Sequence, residues 1–382
     1  MTRAANRHDH GTGQCATGSA RCRPTGWILG APGAGDNRQL ACLAETLDIE
    51  ARQFDSFDPV WRVIKDRLAA FRVRQIPADK FERYSPPWPD VILIAGGRSV
   101  VDARAIRNAS GGHSRIICIG RPWAPLKWLD LVITTPQYRL PAADNVLCVD
   151  LPLNLPRVDD PLAIAHWRRQ FHQLPKPMLG VLLGGDSGSF RFTRGCASRL
   201  ARTINARVAA AGGSAVITAS PRTPAQAVDT LERALKVPSQ IFRWHAGQPN
   251  PFSAMLKLAD ALLVTSDSAS MLAEACYSGK TTAAFHLHER ARARCLRALR
   301  PTGAGQRQWT DRLTRHGLWV PARDLYGFGR QLESAGWLVD DDQLFESRPT
   351  NKLDVRSIQA NVRERVLQLL DRVTPGDRKP DS

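Results

Sequence analysis

The residues with the most chemistry to offer lie between Thr265 and Lys280, where the chain reads Thr-Ser-Asp-Ser-Ala-Ser-Met-Leu-Ala-Glu-Ala-Cys-Tyr-Ser-Gly-Lys. The small hydroxylated residues Ser266, Ser268 and Ser270 suit a tight turn into a helix, with Asp267 among them. The amides that open a helix point outward at the positive end of its dipole, a place that favours a phosphate. Glu274 follows about two turns into the segment and offers a carboxylate to a sugar hydroxyl. At this point an ordinary strand-to-helix connection capped by a serine fits equally well. A second small-residue loop, Gly184-Gly185-Asp186-Ser187-Gly188-Ser189-Phe190, has the same character, and Ser220, Arg222 and Asn250 stand in two further turns of the same half. The first half has one comparable loop, Gly30-Ala31-Pro32-Gly33-Ala34-Gly35-Asp36-Asn37-Arg38-Gln39, whose glycines do not follow the dinucleotide fingerprint.

Short apolar runs precede these loops and must position them. Trp27-Ile28-Leu29, Met178–Leu183, Ala215–Thr218 and Ala261–Val264 each read as a buried strand. Three more runs end in polar and glycine residues: Val91–Ala95 before Gly96-Gly97-Arg98-Ser99, Ile116–Ile119 before Gly120-Arg121-Pro122, and Leu131–Ile133 before Thr134-Thr135-Pro136-Gln137-Tyr138. Stretches of helical spacing lie between some of them, through Leu40, Leu43 and Leu47, through Val60 to Phe71, and through Leu162, Ile164, Trp167 and Phe171. That alternation predicts parallel sheets with ligands at the carboxyl ends of the strands. Arg98, Ser99, Arg121 and Tyr138 become candidates for one cleft, although each alone also reads as a surface residue. Pro175-Lys176-Pro177 divides two such series. The expected organisation is a disordered basic tail over 1–25, Rossmann-like domains over 26–174 and 178–350, and a C-terminal helix over 355–374. Residues 288–350 are arginine-rich and read as less regular.

A chain of 382 residues with 43% hydrophobic content is long enough for two cores. No run approaches the ~20 apolar residues of a membrane span, and no signal-peptide h-region opens the chain, so the expected location is cytoplasmic. The eight cysteines form no Cys-x-x-Cys pair, which speaks against a zinc cluster or a disulfide framework. Asp340-Asp341-Asp342 reads as solvated surface, and no metal is expected. A formal charge of +17 and an isoelectric point near 10.2 favour anionic partners, from nucleotides to an acidic lipid surface. Arginines spread evenly along the chain describe a generally basic surface as well. Aromatic residues are not interleaved with basic ones as in RNA-binding motifs, which ranks nucleic acid last.

Two parallel-sheet domains facing each other resemble the GT-B glycosyltransferases and the related nucleotide-sugar 2-epimerases. Asp267-Ser268 followed by Glu274-Ala275 and Gly279-Lys280 resembles their donor site. That resemblance implies pyrophosphate binding by the Ser268–Ser270 turn and ribose binding by Glu274, with Ala269 and Ser270 where the epimerases usually have glycines. Six ordered blocks resemble the plant "elongated mitochondria" fission-protein family and its bacterial relatives. They are Gly33-x-Gly35-Asp36-Asn37-x-Gln39, Gly120-Arg121-Pro122, Thr134-Thr135-Pro136-Gln137-Tyr138, Gly184-Gly185-Asp186-Ser187-Gly188, Asn250-Pro251-Phe252 and the run from Thr265 to Ala275. The expectation is a GT-B-like α/β fold and a metal-independent glycosyltransferase-type enzyme, needing no cofactor beyond its nucleotide-sugar donor, with a lipid-linked acceptor at an anionic membrane surface among its candidate partners. The departing diphosphate would be stabilised by amides of the 184–190 and 266–270 turns and by Arg222, and Asp36 is the candidate base for the acceptor hydroxyl. A non-catalytic adaptor recruiting a membrane-remodelling partner, and an epimerase sharing the donor pocket, are the alternatives.

Overall fold

A computed structural model describes residues 23–31, 33–55, 81–97, 99–154, 160–298, 303–346, 351 and 353–371. The first half contains β1 (Thr25–Leu29), α1 (Ala34–Leu47), β2 (Glu50–Phe54), β3 (Val91–Ala95), α2 (Val100–Ala109), β4 (Arg115–Ile119), β5 (Leu131–Thr134) and β6 (Val146–Cys148). Its strands form a six-stranded parallel sheet in the order β2-β1-β3-β4-β5-β6. The second half runs α3 (Pro161–Phe171), β7 (Met178–Leu182), β8 (Phe190–Arg191), α4 (Arg194–Ala211), β9 (Ser214–Thr218), α5 (Ala225–Ala234), β10 (Ser239–Phe242), α6 (Phe252–Leu258), β11 (Ala261–Thr265), α7 (Ala269–Tyr277), β12 (Thr281–Phe285) and β13 (His288–Glu289). Five of its strands form a parallel sheet in the order β10-β9-β7-β11-β12, while β8 and β13 pair antiparallel beside it. Then come α8 (Ala291–Ala298), α9 (Ala304–Arg315), α10 (Leu325–Ser334) and α11 (Val355–Asp371).

The central strands are what their composition requires. Val-Ile-Leu-Ile of β3 and all of Ala-Leu-Leu-Val-Thr in β11 are buried, as strands covered on both faces must be. Helix α1 turns Leu40, Leu43 and Leu47 to the sheet. Helix α4 is capped by the Thr193 hydroxyl, which accepts from the Cys196 amide, and stops at Gly212 in the left-handed region. Both sheets are doubly wound in a GT-B-like α/β architecture, and the glycine loop at the carboxyl end of β1 lies against the turn at the carboxyl end of β11, Gly35 to Ser270.

The halves are joined by an apolar seam. Cys42 of α1 and Leu151 belong to the core of the second sheet, and the Tyr277 hydroxyl donates to the Pro152 carbonyl at 3.2 Å. Residues 315–324 form a strap that crosses to the first half. Arg315 donates to the Ala142 carbonyl, Gly317 lies against Pro125, and the Asp324 amide donates to the Gln137 carbonyl at 2.7 Å. The chain then returns, placing Leu325, Phe328 and Leu332 of α10 in the second core. Helix α11 docks on the first half, with Val362 and Val366 buried in the cluster that holds Leu40, Leu43, Leu131 and Ile133.

Three expectations are corrected. Strands β2 and β6 were not anticipated, because Glu-Ala-Arg-Gln-Phe is an exposed edge strand and Val-Leu-Cys is very short. The arginine-rich region after residue 288 is regular, holding α8, α9 and α10. Strand β1 starts at Thr25, inside the expected tail. The expected helix over Val60 to Phe71 lies outside the described residues.

Candidate functional site

In a doubly wound sheet the ligand crevice opens where successive connections leave in opposite directions. In the second sheet this point falls between β7 and β11, so the Gly184–Phe190 loop and the Thr265–Ser270 turn are neighbours. Asp267 ties them together. Its carboxylate is buried, accepts from the Gly185 amide at 2.9 Å and the Thr265 hydroxyl at 2.7 Å, and pairs with the Arg222 guanidinium at 2.9 Å. Burial pushes the Asp267 carboxyl up, while Arg222, the Gly185 amide and the Thr265 hydroxyl pull it down.

Four amides of the first loop, expected to face a phosphate, have partners within this framework. Gly184 donates to the Thr265 hydroxyl, Gly185 to Asp267, Asp186 to the Arg222 carbonyl and Ser187 to the Phe190 carbonyl. Several side chains expected at a ligand are likewise internal struts. Asp186 accepts from the Phe192 amide and lies 3.5 Å from Arg290, and Ser187 accepts from the Phe190 amide. Ser220 donates to the Gly184 carbonyl. Asn250 accepts from the Thr218 hydroxyl and the Phe252 amide, and the buried Ser266 hydroxyl accepts from the Leu287 amide at 3.4 Å. Gly188 is exposed and Ser189 half-buried, at the open end of the loop. On the other wall the Ser268 hydroxyl caps α7 by accepting from the Met271 amide. The amides of Ala269 and Ser270 stand in the opening turn, where no intrahelical acceptor exists.

The first sheet brings its own helix N-terminus to this place. Asn37 closes the glycine loop by exchanging two hydrogen bonds with the backbone of Ala31. Gly35 then faces Ser270 so closely that a Cβ on it would stand 2.9 Å from the Ser270 hydroxyl. The first turns of α1 and α7 therefore lie against each other. Asn154 sits at this meeting, wholly buried, its amide nitrogen 3.5 Å from both the Gly35 carbonyl and the Glu274 carboxylate. Its side-chain oxygen has no hydrogen-bond partner.

Asp36 lies beside Gly35, and burial raises its carboxyl above the ordinary value while the charge of Arg323 acts in the opposite direction. Arg323 comes from the strap. It donates to the Gln137 side chain at 2.7 Å, and its guanidinium lies 5.4 Å from the centre of the Tyr138 ring. Arg121 approaches the same ring at 5.9 Å and donates to the Pro321 carbonyl. Gly120, at φ 86°, leaves room for that ring. Arg121 and Tyr138 are thus brought together, whereas Arg98 lies outside the described residues.

Asn154, Arg323, Thr265 and Arg290 were not singled out from the sequence. Asn154 follows a bland Leu-Pro-Leu run, and Arg323 and Arg290 are two among many scattered arginines. Thr265 alone carried a signal, as the last residue of a strand that enters a serine-rich turn.

The mitochondrial fission ELM1 family model matches residues 34–315. The chain belongs to this family. Within it, the "Mitochondrial fission protein ELM1" of Arabidopsis thaliana is 27% identical over 222 residues, covering 52% of either chain, so this ELM1-family chain spans about half the length of that relative. Among solved structures it resembles the UDP-GlcNAc 2-epimerase from Neisseria meningitidis bound to UDP-GlcNAc, with a TM-score of 0.46 and 11% identity over 90% of this chain and 99% of that one. It also resembles a UDP-glucosyltransferase from Polygonum tinctorium, with a TM-score of 0.45 and 10% identity over 92% and 98% of the two chains. Among the described residues of the ELM1-family chain no helix is long and apolar enough to cross a membrane.

Proposed function

We propose that the chain binds a nucleotide diphosphate sugar between its two sheets and transfers the sugar to an acceptor held by the first half. The observation that carries this reading is the meeting of α1 and α7, N-terminus to N-terminus, at Gly35 and Ser270. Two helix dipoles directed at one place favour a diphosphate, and Glu274 beside them offers a carboxylate to the ribose. In the transfer, the bond from the anomeric carbon to the diphosphate oxygen breaks and its electron pair stays on the diphosphate, facing the amides of Ala269 and Ser270. The acceptor oxygen bonds to the anomeric carbon, and its proton passes to Asp36, whose raised basicity suits a general base. This scheme uses no metal and no second cofactor. The acceptor class that fits the basic surface is a lipid-linked hydroxyl at the cytoplasmic face of an anionic membrane. A 2-epimerase would use the same donor pocket.

The family match favours a second reading, a non-catalytic adaptor for a membrane-remodelling partner. A thermal-shift screen with UDP-, GDP-, CMP- and dTDP-sugars separates the two. The transferase reading expects stabilisation by one donor class and its loss in Glu274→Ala. No stabilisation by any of them removes the donor site, and with it the enzyme.

A further inference from the structure

Helix α9 exposes apolar side chains that a water-facing helix has no reason to carry. Its inner side, marked by the buried Thr314, packs near the turn at Leu126–Trp128 of the first half. Trp309 on the outer side is 61% exposed, and Leu318 and Trp319 just beyond the helix are 63% and 47% exposed. The backbone brings these residues to one end of the helix. The amides of Leu318 and Trp319 both donate to the Leu313 carbonyl, at 2.9 and 3.3 Å, which folds that dipeptide back beside the last turn of the helix. Trp309 shares a face with Leu313, one turn away. A single exposed apolar residue is commonplace, whereas a cluster of large ones marks an interaction surface.

The charges around the cluster select its partner. Arg312 follows Trp309 by three residues on the same exposed side, whereas Arg315, three further on, donates to the Ala142 carbonyl of the first half. Asp311, the only carboxylate of the helix, falls on the opposite side of the helical wheel. Tryptophan and leucine flanked by arginine are the composition of elements that lie in the interface of an anionic bilayer. We propose that the face formed by Trp309, Leu318, Trp319 and Arg312 is a docking surface for an anionic phospholipid bilayer. It needs no nucleotide-sugar site, but its place deepens that reading. Within a few residues of Trp319 the strap reaches Pro321 and Arg323, which contact Arg121 and Gln137 at the carboxyl ends of the first sheet. Docking by this face sets the acceptor side of the cleft at the membrane.

The test is co-sedimentation of the full chain with vesicles of phosphatidylglycerol and phosphatidylcholine, against vesicles of phosphatidylcholine alone. The wild type is expected to bind the anionic vesicles preferentially and to release as salt rises. Combining Trp309→Ser, Leu318→Ser and Trp319→Ser should lower the partition by at least about tenfold, since several large side chains no longer leave water. The single variants Trp309→Ser and Leu318→Ser should each show part of that loss with an unchanged thermal midpoint, and Arg312→Glu should weaken binding most at low salt. The proposal is overturned if the wild type does not bind anionic vesicles, or if the triple variant binds as the wild type does, which would credit the basic N-terminal residues instead. It is equally overturned if the wild type self-associates through this face and the triple variant is a monomer with unchanged vesicle affinity. Stabilisation by a nucleotide sugar, measured on the triple variant, is expected to persist, so the failure of one reading is visible apart from the other.

Discussion

Two aspartates at the carboxyl ends of the sheets, Asp267 buried and Asp36 half-buried, differ in what they hold in place. Asp267 is a strut, and its removal takes the acceptor from the buried Gly185 amide and one partner each from the Thr265 hydroxyl and Arg222. Asp267→Ala should cost about 2–4 kcal/mol, measured by chemical denaturation, with the solvent access of Arg222 keeping it at the lower end. Asp36 is held in a place that disfavours its charge, because burial raises its carboxyl above 3.8 and the opposing Arg323 does not cancel this. Its folded form therefore binds a proton more firmly than its unfolded form, and its contribution to stability falls as pH rises through that interval. Asp36→Asn should consequently be at least as stable as the wild type at neutral pH, with the difference vanishing at acid pH below both values. Its turnover should fall by about 10²–10⁴-fold, and wild-type turnover should itself decline as pH drops through the raised value. A variant that unfolds earlier at neutral pH and keeps its turnover would make Asp36 a structural cap.

At the scale of elements, the loop after β7 is set by one glycine, Gly185, whose hydrogen faces backbone. A Cβ at Gly185 would be driven into the carbonyl of Arg222, whereas one at Gly188 meets nothing within 4 Å. Gly185→Ala should therefore destabilise by about 2–3 kcal/mol or prevent folding, while Gly188→Ala should leave the thermal midpoint close to that of the wild type. Equal midpoints would mean that the loop adapts. The apolar runs of β3, β7 and β11 were legible, because strands buried on both faces must be apolar throughout. Strand β2 was not, since an edge strand paired through its backbone alone tolerates Glu50, Arg52 and Gln53. The helices after residue 288 were hidden for a related reason: their outer faces carry arginines, and α8 buries no residue at all.

At the scale of the whole molecule, the strap is what makes two sheets one cleft. Asp324 concentrates its contacts: the amide donates to the Gln137 carbonyl, the carboxylate accepts from the Gly327 amide to cap α10, and Arg139 pairs with it at 3.3 Å. Asp324→Ala should cost about 1–2 kcal/mol for the cap alone and loosen the first half from the strap. Calorimetry is expected to show a lower, broader transition, and an unchanged single peak would mean that the apolar seam at Cys42 and Leu151 suffices without the strap.

By itself the sequence determined the alternation of apolar runs and small-residue loops, hence two doubly wound sheets, and it marked the turns where helices begin. These are local properties, dictated by burial and by backbone geometry over a few residues. Only the tertiary structure decided which small polar residues hold the cleft open and which line it. Gly185 and Asp267, or Gly35, Asn154 and Glu274, lie far apart along the chain and become partners because the sheets pack as they do. Hydrogen-bond partners of that kind are selected by the docking of whole layers, and no local spacing records them.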